Sequence, residues 1–395
     1  MTRAAEVFRQ FLLLGCTSFG GPVAHLGYFR ERFVERRGWL SDAAYADLVA
    51  LCQFLPGPAS SQVGIGLGMM RAGWLGGLAA WAGFTLPSAV LLISVAALLG
   101  LNPAWMDGGW VQGLKVAAVA VVAQAVLGMQ RKLAPDQARA SLMVLVAILV
   151  LLIRHPAVQL LGLLIGAIAG VTVLEAPPQR EAGVDALRVP ISRRSGAVLL
   201  LILLALLLSL PWLLQSGQPV VIRQLASFFQ AGALVFGGGH VVLPLLEQSL
   251  VPHGWISSDS FLVGYGAAQA VPGPLFTLSA FLGYDLRGGL QGVLGSFMAL
   301  TALFLPAFAL VGGVLPFWAQ LGQASWMRRA LKGINAAVVG VLLAALYQPV
   351  WQVGIKSAAD FALAAAALLL LVGWRQPAWR VVMLCALAGG LGLHH

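Results

Sequence analysis

Long apolar runs alternate along this chain with short polar stretches, and the charges gather in those stretches. Runs of this length must satisfy their own backbone groups in hydrocarbon, which reads as an all-α integral membrane protein. From about residue 5 the pattern predicts a short apolar helix ending at a glycine cluster, then an amphipathic connection. Two short helices follow, separated by Pro56-Gly57-Pro58, and then four longer spans at about 74–100, 109–129, 139–153 and 157–174. The same order returns from about residue 218, with longer spans at about 288–317, 330–348, 358–373 and 379–393. Between the two series lie a polar linker and an apolar helix, about 196–214, that has no first-half counterpart.

The recurrence is visible residue by residue. A shift of 216 superposes Trp39 on Trp255, Ser41 on Ser257, Gln53 on Gln269, Arg71 on Arg287, Gly73 on Gly289 and Gly76 on Gly292. The same shift lays Pro56-Gly57-Pro58 on Pro272-Gly273-Pro274, and one residue more aligns Phe19-Gly20-Gly21 with Phe236-Gly237-Gly238. This is an internal duplication. The expected organisation is a first repeat over 1–175, a polar linker over 176–195, an unpaired apolar helix over 196–215 and a second repeat over 216–395.

Composition agrees with the membrane reading. Of 395 residues, 59% are hydrophobic and 10% charged, with a mean hydropathy of +0.89; a soluble domain carries about 25% charged residues. The net charge of +10 belongs to Lys and Arg scattered through loops, with no aromatic-studded basic face, which argues against nucleic-acid binding. Cys16, Cys52 and Cys385 have apolar neighbours and no CxxC spacing, so they read as small buried hydrophobes. Leu13-Leu14-Gly15-Cys16 resembles a lipoprotein cleavage box, but Phe11 and Gly15 return deep in the chain as Phe228 and Gly232, so the N-terminus reads as mature structure.

The charges also differ between the halves in an ordered way. The first connection carries Arg30, Arg32, Arg36 and Arg37, whereas its partner stretch, 243–260, has no Lys or Arg. The next loop holds only Asp107 in the first half and Arg328, Arg329 and Lys332 in the second. The loop after that reverses again, with Arg131, Lys132 and Arg139 against a lone Lys356. Under the positive-inside rule the two repeats are therefore expected to lie in inverted topology, the unpaired helix supplying the odd crossing. This places the N-terminus in the cytoplasm and the C-terminus outside.

A Pro-Gly-Pro inside an apolar run breaks a helix, because proline lacks an N–H and glycine frees the backbone. Irregular backbone at membrane depth persists only where protein or a water-filled cavity surrounds it, so the two breaks read as re-entrant elements facing a substrate site. Gln53 and Gln269, just before them, can donate to an anion or cap a freed carbonyl. Phe19-Gly20-Gly21-Pro22 and Phe236-Gly237-Gly238-Gly239 let backbone amides approach an oxyanion, although membrane helices also use glycine for packing. Arg71 and Arg287 are duplicated cations with paired donors, placed where snorkelling to the interface is the ordinary explanation. His25 and His240 are candidates for a coupled proton. Lys115 lies within an apolar span and has no cationic twin, since Asn335 stands at its counterpart position. No metal set, nucleophile–base pair or nucleotide-binding loop is visible, so neither an enzyme nor a primary pump is expected, and no cofactor.

Together, Phe19-Gly20-Gly21-Pro22-Val23-Ala24-His25, Gln53 with Pro56-Gly57-Pro58, Arg71-Ala72-Gly73, Phe236 to His240 and Gln269 to Pro274 resemble the chromate ion transporter family in its long, two-unit form. The resemblance covers both units. It implies a bacterial inner-membrane carrier that exports chromate, confers chromate resistance, uses the proton motive force and is related to sulfate handling. On that basis a secondary transporter working by alternating access is expected, with an anion channel built on the same elements as the alternative. The expected partners are a chromate-like or sulfate-like oxyanion and the lipid bilayer, with a homodimer as a candidate assembly.

Overall fold

The computed structural model describes residues 2–153, 157–175, 191–236, 239–318 and 325–392, and helix is the only regular structure among them. The first half contains α1 (Arg3–Thr17), α2 (Gly21–Phe29), α3 (Asp42–Phe54), α4 (Ala59–Leu101), α5 (Gly109–Leu133), α6 (Gln137–Leu152) and α7 (Ala157–Val173). After α8 (Arg193–Leu213) come α9 (Val220–Leu234), α10 (Val242–Leu250), α11 (Ser258–Ala270), α12 (Leu278–Asp285), α13 (Gly289–Val314), α14 (Ser325–Ala345), α15 (Ala358–Val372) and α16 (Ala378–Gly390). Among the described residues five segments are long and apolar enough to cross a bilayer: 59–101, 109–133, 193–213, 289–317 and 325–354. The protein is thus an all-α membrane protein.

The 43-residue α4 is not one rod. At Ala72 and Gly73 the backbone leaves helical geometry, with φ +62° at Gly73, so a short arm over 59–71 precedes a long one over 74–101. The second half breaks at the equivalent place, between α12 and α13, where Gly289 has φ +52°. Before each short arm stands a 13-residue helix, α3 or α11, whose N-cap serine, Ser41 or Ser257, accepts from the amide three residues on. At 1.5 Å per residue such a helix is about 20 Å long, short of the ~30 Å hydrocarbon core.

The halves interlock through their later helices. α5 packs on α16, and α14 packs on α7. A Cβ on Gly113 of α5 would lie 2.1 Å from the Cys385 carbonyl oxygen of α16, and one on Gly333 of α14 would lie 1.9 Å from the Gly166 carbonyl oxygen of α7. Only glycine allows crossings this close, the use of small residues typical between membrane helices. By contrast α8 fully buries only Gly196, Leu203 and Leu210 and exposes Leu201, Leu204 and Leu208, as a peripheral helix should.

Two helix ends depart furthest from the sequence expectation. α5 runs on to Leu133 because Arg131 and Lys132 form its last turn, where cations favour the negative end of the helix dipole. α14 begins at Ser325, ahead of the expected 330, so its first turns carry Trp326, Arg328 and Arg329 rather than an apolar run. Most of the linker at 176–195 lies outside the described residues.

Candidate functional site

Both Pro-Gly-Pro elements turn on a left-handed glycine, Gly57 at φ +125° and Gly273 at φ +100°. The flanking prolines have no N–H, which leaves the glycine amide as the single main-chain donor of each tripeptide. Gly57 N–H donates to the Val235 carbonyl at 2.6 Å, and Gly273 N–H donates to the Ser18 carbonyl at 2.9 Å. Ser18 and Val235 are the C-caps of α1 and α9, which occupy the same place in the two halves. Each break is therefore tied to the end of the other half's first helix. A reciprocal contact of this kind is what a two-fold relation between units produces.

This finding changes how an anion would be held. The central amides of the breaks are engaged with protein, so the donors left for a ligand are those of the helices that follow. Gln62 N–H bonds to Pro58 and Thr277 N–H bonds to Pro274, so the amides just before them, at 59–61 and 275–276, are first-turn donors at the positive end of a helix dipole.

Around the seam on the first-half side lies a group of buried polar side chains. His25, 1% exposed, stands edge-on to Phe84. Its Nε2–H donates to the Ser18 carbonyl at 3.2 Å, while Nδ1 accepts from Ser60 Oγ at 3.4 Å. A Cβ on Gly273 would lie 2.8 Å from Ser88 Oγ, so the second break presses on the long arm of α4. Ser18 Oγ, Ser61 Oγ, Thr85 Oγ1 and Gln62 Oε1 are buried without a protein partner among the described residues. A buried polar group without any partner costs about 1–3 kcal/mol, so these four atoms are available to a ligand or to water.

Gln62 itself was invisible to the sequence reading, because Leu278 stands at its equivalent position and no duplication marks it. Its Nε2 donates to the Pro56 carbonyl at 2.7 Å, and a Cβ on Gly57 would strike the same nitrogen at 2.5 Å. Thus Gln62, rather than Gln53, caps the first break; Gln53 is exposed.

On the second-half side, Gly239 lies against both halves: a Cβ there would be 3.5 Å from Pro22 and from Phe276. The next residue, His240, has Nδ1 2.9 Å from the Tyr265 hydroxyl and 3.5 Å from Gln269 Nε2. Tyr265 is fully buried, and nothing in the sequence singled it out. The structure thus brings together Pro22, Pro56-Gly57-Pro58, Gly239, His240, Gln269 and Pro272-Gly273-Pro274. Gly20, at φ +104°, and Gly21, at φ +76°, form the turn into α2. Phe19 packs on Trp379, and Phe236 is half-buried. Gly237 and Gly238 lie outside the described residues.

The charged candidates lie elsewhere. Arg71 donates to Glu6 at 3.1 Å and covers the Trp39 ring at 5.1 Å. Arg287 is half-buried just before the break into α13, with its Cδ 3.2 Å from where a Cβ on Gly295 would be. Lys115 pairs with Asp259 at the start of α11, and Asn335 is half-buried on α14. Among the described residues no Lys or Arg makes an ion pair or hydrogen bond within the seam cluster, and no group of three or more His, Cys, Asp or Glu is placed to hold a metal.

The family described as chromate transporter matches residues 5–171 and 222–392. A probable chromate transport protein of Synechococcus elongatus is 27% identical over 347 residues, 86% of this chain and 83% of the relative. Chromate transport proteins of Cupriavidus metallidurans and Pseudomonas aeruginosa are each 28% identical, covering 86% and 85% of this chain and 81% and 79% of their own lengths. No solved structure matches the chain significantly.

Proposed function

Given that this chain belongs to the chromate transporter family, and is in that sense a transporter rather than an enzyme, we propose that it exports chromate or a related tetrahedral oxyanion such as sulfate. The proposed mechanism is alternating access between two inverted repeats, 1–175 and 216–395, joined by the linker and the unpaired helix α8. The reading rests above all on the reciprocal bonds Gly57 to Val235 and Gly273 to Ser18. Two broken helices anchored on each other's partners can rock as bodies about their seam while the seam itself stays intact.

In this reading α3 with the short arm of α4, and α11 with α12, are re-entrant hairpins whose turns meet near the midplane. The anion binds at the seam between them. It is held by first-turn amides of α4 and of the 275–285 segment, by the glycine elements at Gly20-Gly21 and Gly239, and by polar side chains of the His25 and His240 groups. Arg71, Arg287 and Lys115 act on the approach to the seam or on its support, outside the ligand shell. Export of a dianion from an interior-negative cell is driven by the potential at about 2.3 kcal/mol per charge per 100 mV. A coupled proton then serves accumulation against a gradient. The setting is the bacterial inner membrane, with the N-terminus inside and the C-terminus outside.

The test is flux in liposomes holding the purified full chain, with pH gradient and voltage set independently. Saturable chromate flux that responds to voltage, and is inhibited by sulfate, is the expected result. Absence of chromate and sulfate flux under every gradient would remove the proposal, and flux at channel rates without saturation would replace it with a pore.

A further inference from the structure

We infer that His240 meets the transported oxyanion as a neutral hydrogen-bond donor through Nε2, and that Tyr265 is the positioning residue that holds it in that role. The inference rests on the transport reading above and assigns one group within its site.

The two histidines near the seam look equivalent in sequence, but their hydrogen bonds differ. At His25 both ring nitrogens are used within the protein. The Ser18 carbonyl can only accept, so Nε2 carries the proton and Nδ1 accepts from Ser60. That same carbonyl also takes the Gly273 amide from the other half. His25 is therefore a strut across the seam, with no donor to offer a ligand.

His240 is bound on one side only. A side-chain amide nitrogen only donates, and the fully buried Tyr265 hydroxyl donates best to the nearest lone pair. With the Tyr265 oxygen at 2.9 Å and Gln269 Nε2 at 3.5 Å, Nδ1 is the acceptor of the ring. The single ring proton of the neutral imidazole is then on Nε2. No described residue accepts from Nε2, and the side chain is half-buried rather than sealed. It stands next to Gly239, where an added Cβ would lie 3.5 Å from Pro22 of the first half and from Phe276 beyond the second break. A neutral N–H fixed at this point suits a tetrahedral dianion, because it adds a donor without adding a charge that would have to be desolvated or released with the anion.

The experiment measures chromate uptake per reconstituted transporter for the full chain and for His240→Ala, His240→Gln, Tyr265→Phe and the double variant His240→Ala/Tyr265→Phe. Glutamine keeps an N–H near the Nε2 position but does not titrate. A lost donor to a charged acceptor should raise KM about 10-fold or more in His240→Ala, while His240→Gln stays within about threefold of the parent. Tyr265→Phe keeps the ring volume and frees the imidazole, and is expected to raise KM about fivefold with the maximal rate within about twofold. The double variant should be no worse than His240→Ala, since Tyr265 acts through His240.

If His240→Gln is as defective as His240→Ala, the imidazole's own titration is what matters and the assignment is overturned. An unchanged KM in Tyr265→Phe overturns the positioning role, and a fall in maximal rate with KM unchanged in either variant marks a structural effect and overturns it as well. Equilibrium chromate binding by the unmodified protein separates the two levels: neither flux nor binding in the parent defeats the transport reading and this inference with it, whereas a working parent with indifferent variants defeats the inference alone.

Discussion

The two halves of this protein place the same aromatic platform at the same point and supply its cation from different positions. In the first half Trp39 is covered by Arg71, which is also paired with Glu6 on α1. In the second half Trp255 is covered by Arg223 at 5.0 Å, and Arg223 occupies the position equivalent to Glu6. Arg287, the sequence twin of Arg71, does not take that place. A duplicated arginine is therefore not a duplicated ligand. What recurs with geometry attached is the helix order, the left-handed glycines and the cross-half bonds they make.

Charge shows the same contrast on a larger scale. The connection after α2 is laced by Arg30 with Asp42 and Glu35, Arg36 with Glu31, and Arg37 with Glu6. The hydrogen bond and charge of Asp42 hold the Arg30 guanidinium even above its usual range. The equivalent stretch in the second half has Ser260 on Asp285 and the cross-half pair of Asp259 with Lys115. Exposed pairs contribute little individually, about 0–1 kcal/mol. Under the proposed inverted arrangement, their role would be to distinguish the two faces of the membrane.

The largest effects are expected at the two Pro-Gly-Pro turns. Gly57→Val or Gly273→Val places a β-branched residue at positive φ, a strain of about 1–3 kcal/mol before any clash. The new Cβ would also meet Gln62 Nε2 at 2.5 Å or Ser88 Oγ at 2.8 Å. Chromate flux and resistance are expected to be lost in both, with the amount inserted in the membrane unchanged, and normal flux would show the breaks to be packing turns. Next in size is the glycine crossing. Gly333→Leu should lower stability in detergent by about 3 kcal/mol or more, because the nearest atom is backbone and cannot yield; an unchanged melting temperature would show that α14 and α7 do not pack as described.

A smaller, directional effect is expected at the Lys115 pair. The Lys115 side chain is 7% exposed and that of Asp259 51%. Asp259→Asn leaves a buried cation with a weaker partner and should destabilise by about 1–3 kcal/mol, whereas Lys115→Met leaves a carboxylate that water can solvate and should cost less. The reverse order in thermal unfolding would contradict that burial. The smallest effect belongs to Arg71→Lys, which keeps the charge near Glu6 and weakens the Trp39 contact, with a loss of about 0.5–1 kcal/mol. Chromate flux within twofold of the parent is expected, and a loss as large as that from the break variants would return Arg71 to the ligand shell.

Helix type, order and the break points were legible because they are local properties: apolar run length, prolines and glycines act within a few residues. The kink after Arg71 falls where the long span was expected to begin, whereas the cap role of the duplicated Ser41 and Ser257 emerged only from the structure. The candidate site was only half legible. Pro22, Gly57, Gly273, His240 and Gln269 were marked by motif, but Gln62, Ser18, Ser60 and Tyr265 are not duplicated and acquire meaning only through contacts made after folding. The partner of Gly57 is Val235, and no pattern within one half can name a residue supplied by the other. For the same reason Lys115 read as a lone intramembrane cation until Asp259, far along the chain, was seen beside it.

The central claim is that the two halves cross the membrane in opposite senses and are tied through their breaks. The most direct measurement is sided labelling. In a background with Cys16, Cys52 and Cys385 replaced, Arg131→Cys and Arg329→Cys are each treated with a membrane-impermeant maleimide in intact cells and in inside-out vesicles. Inverted halves place the end of α5 and the start of α14 on one side, so both positions should react in the vesicles and neither in the cells. Reaction from opposite sides would contradict the inverted arrangement and the seam site built on it.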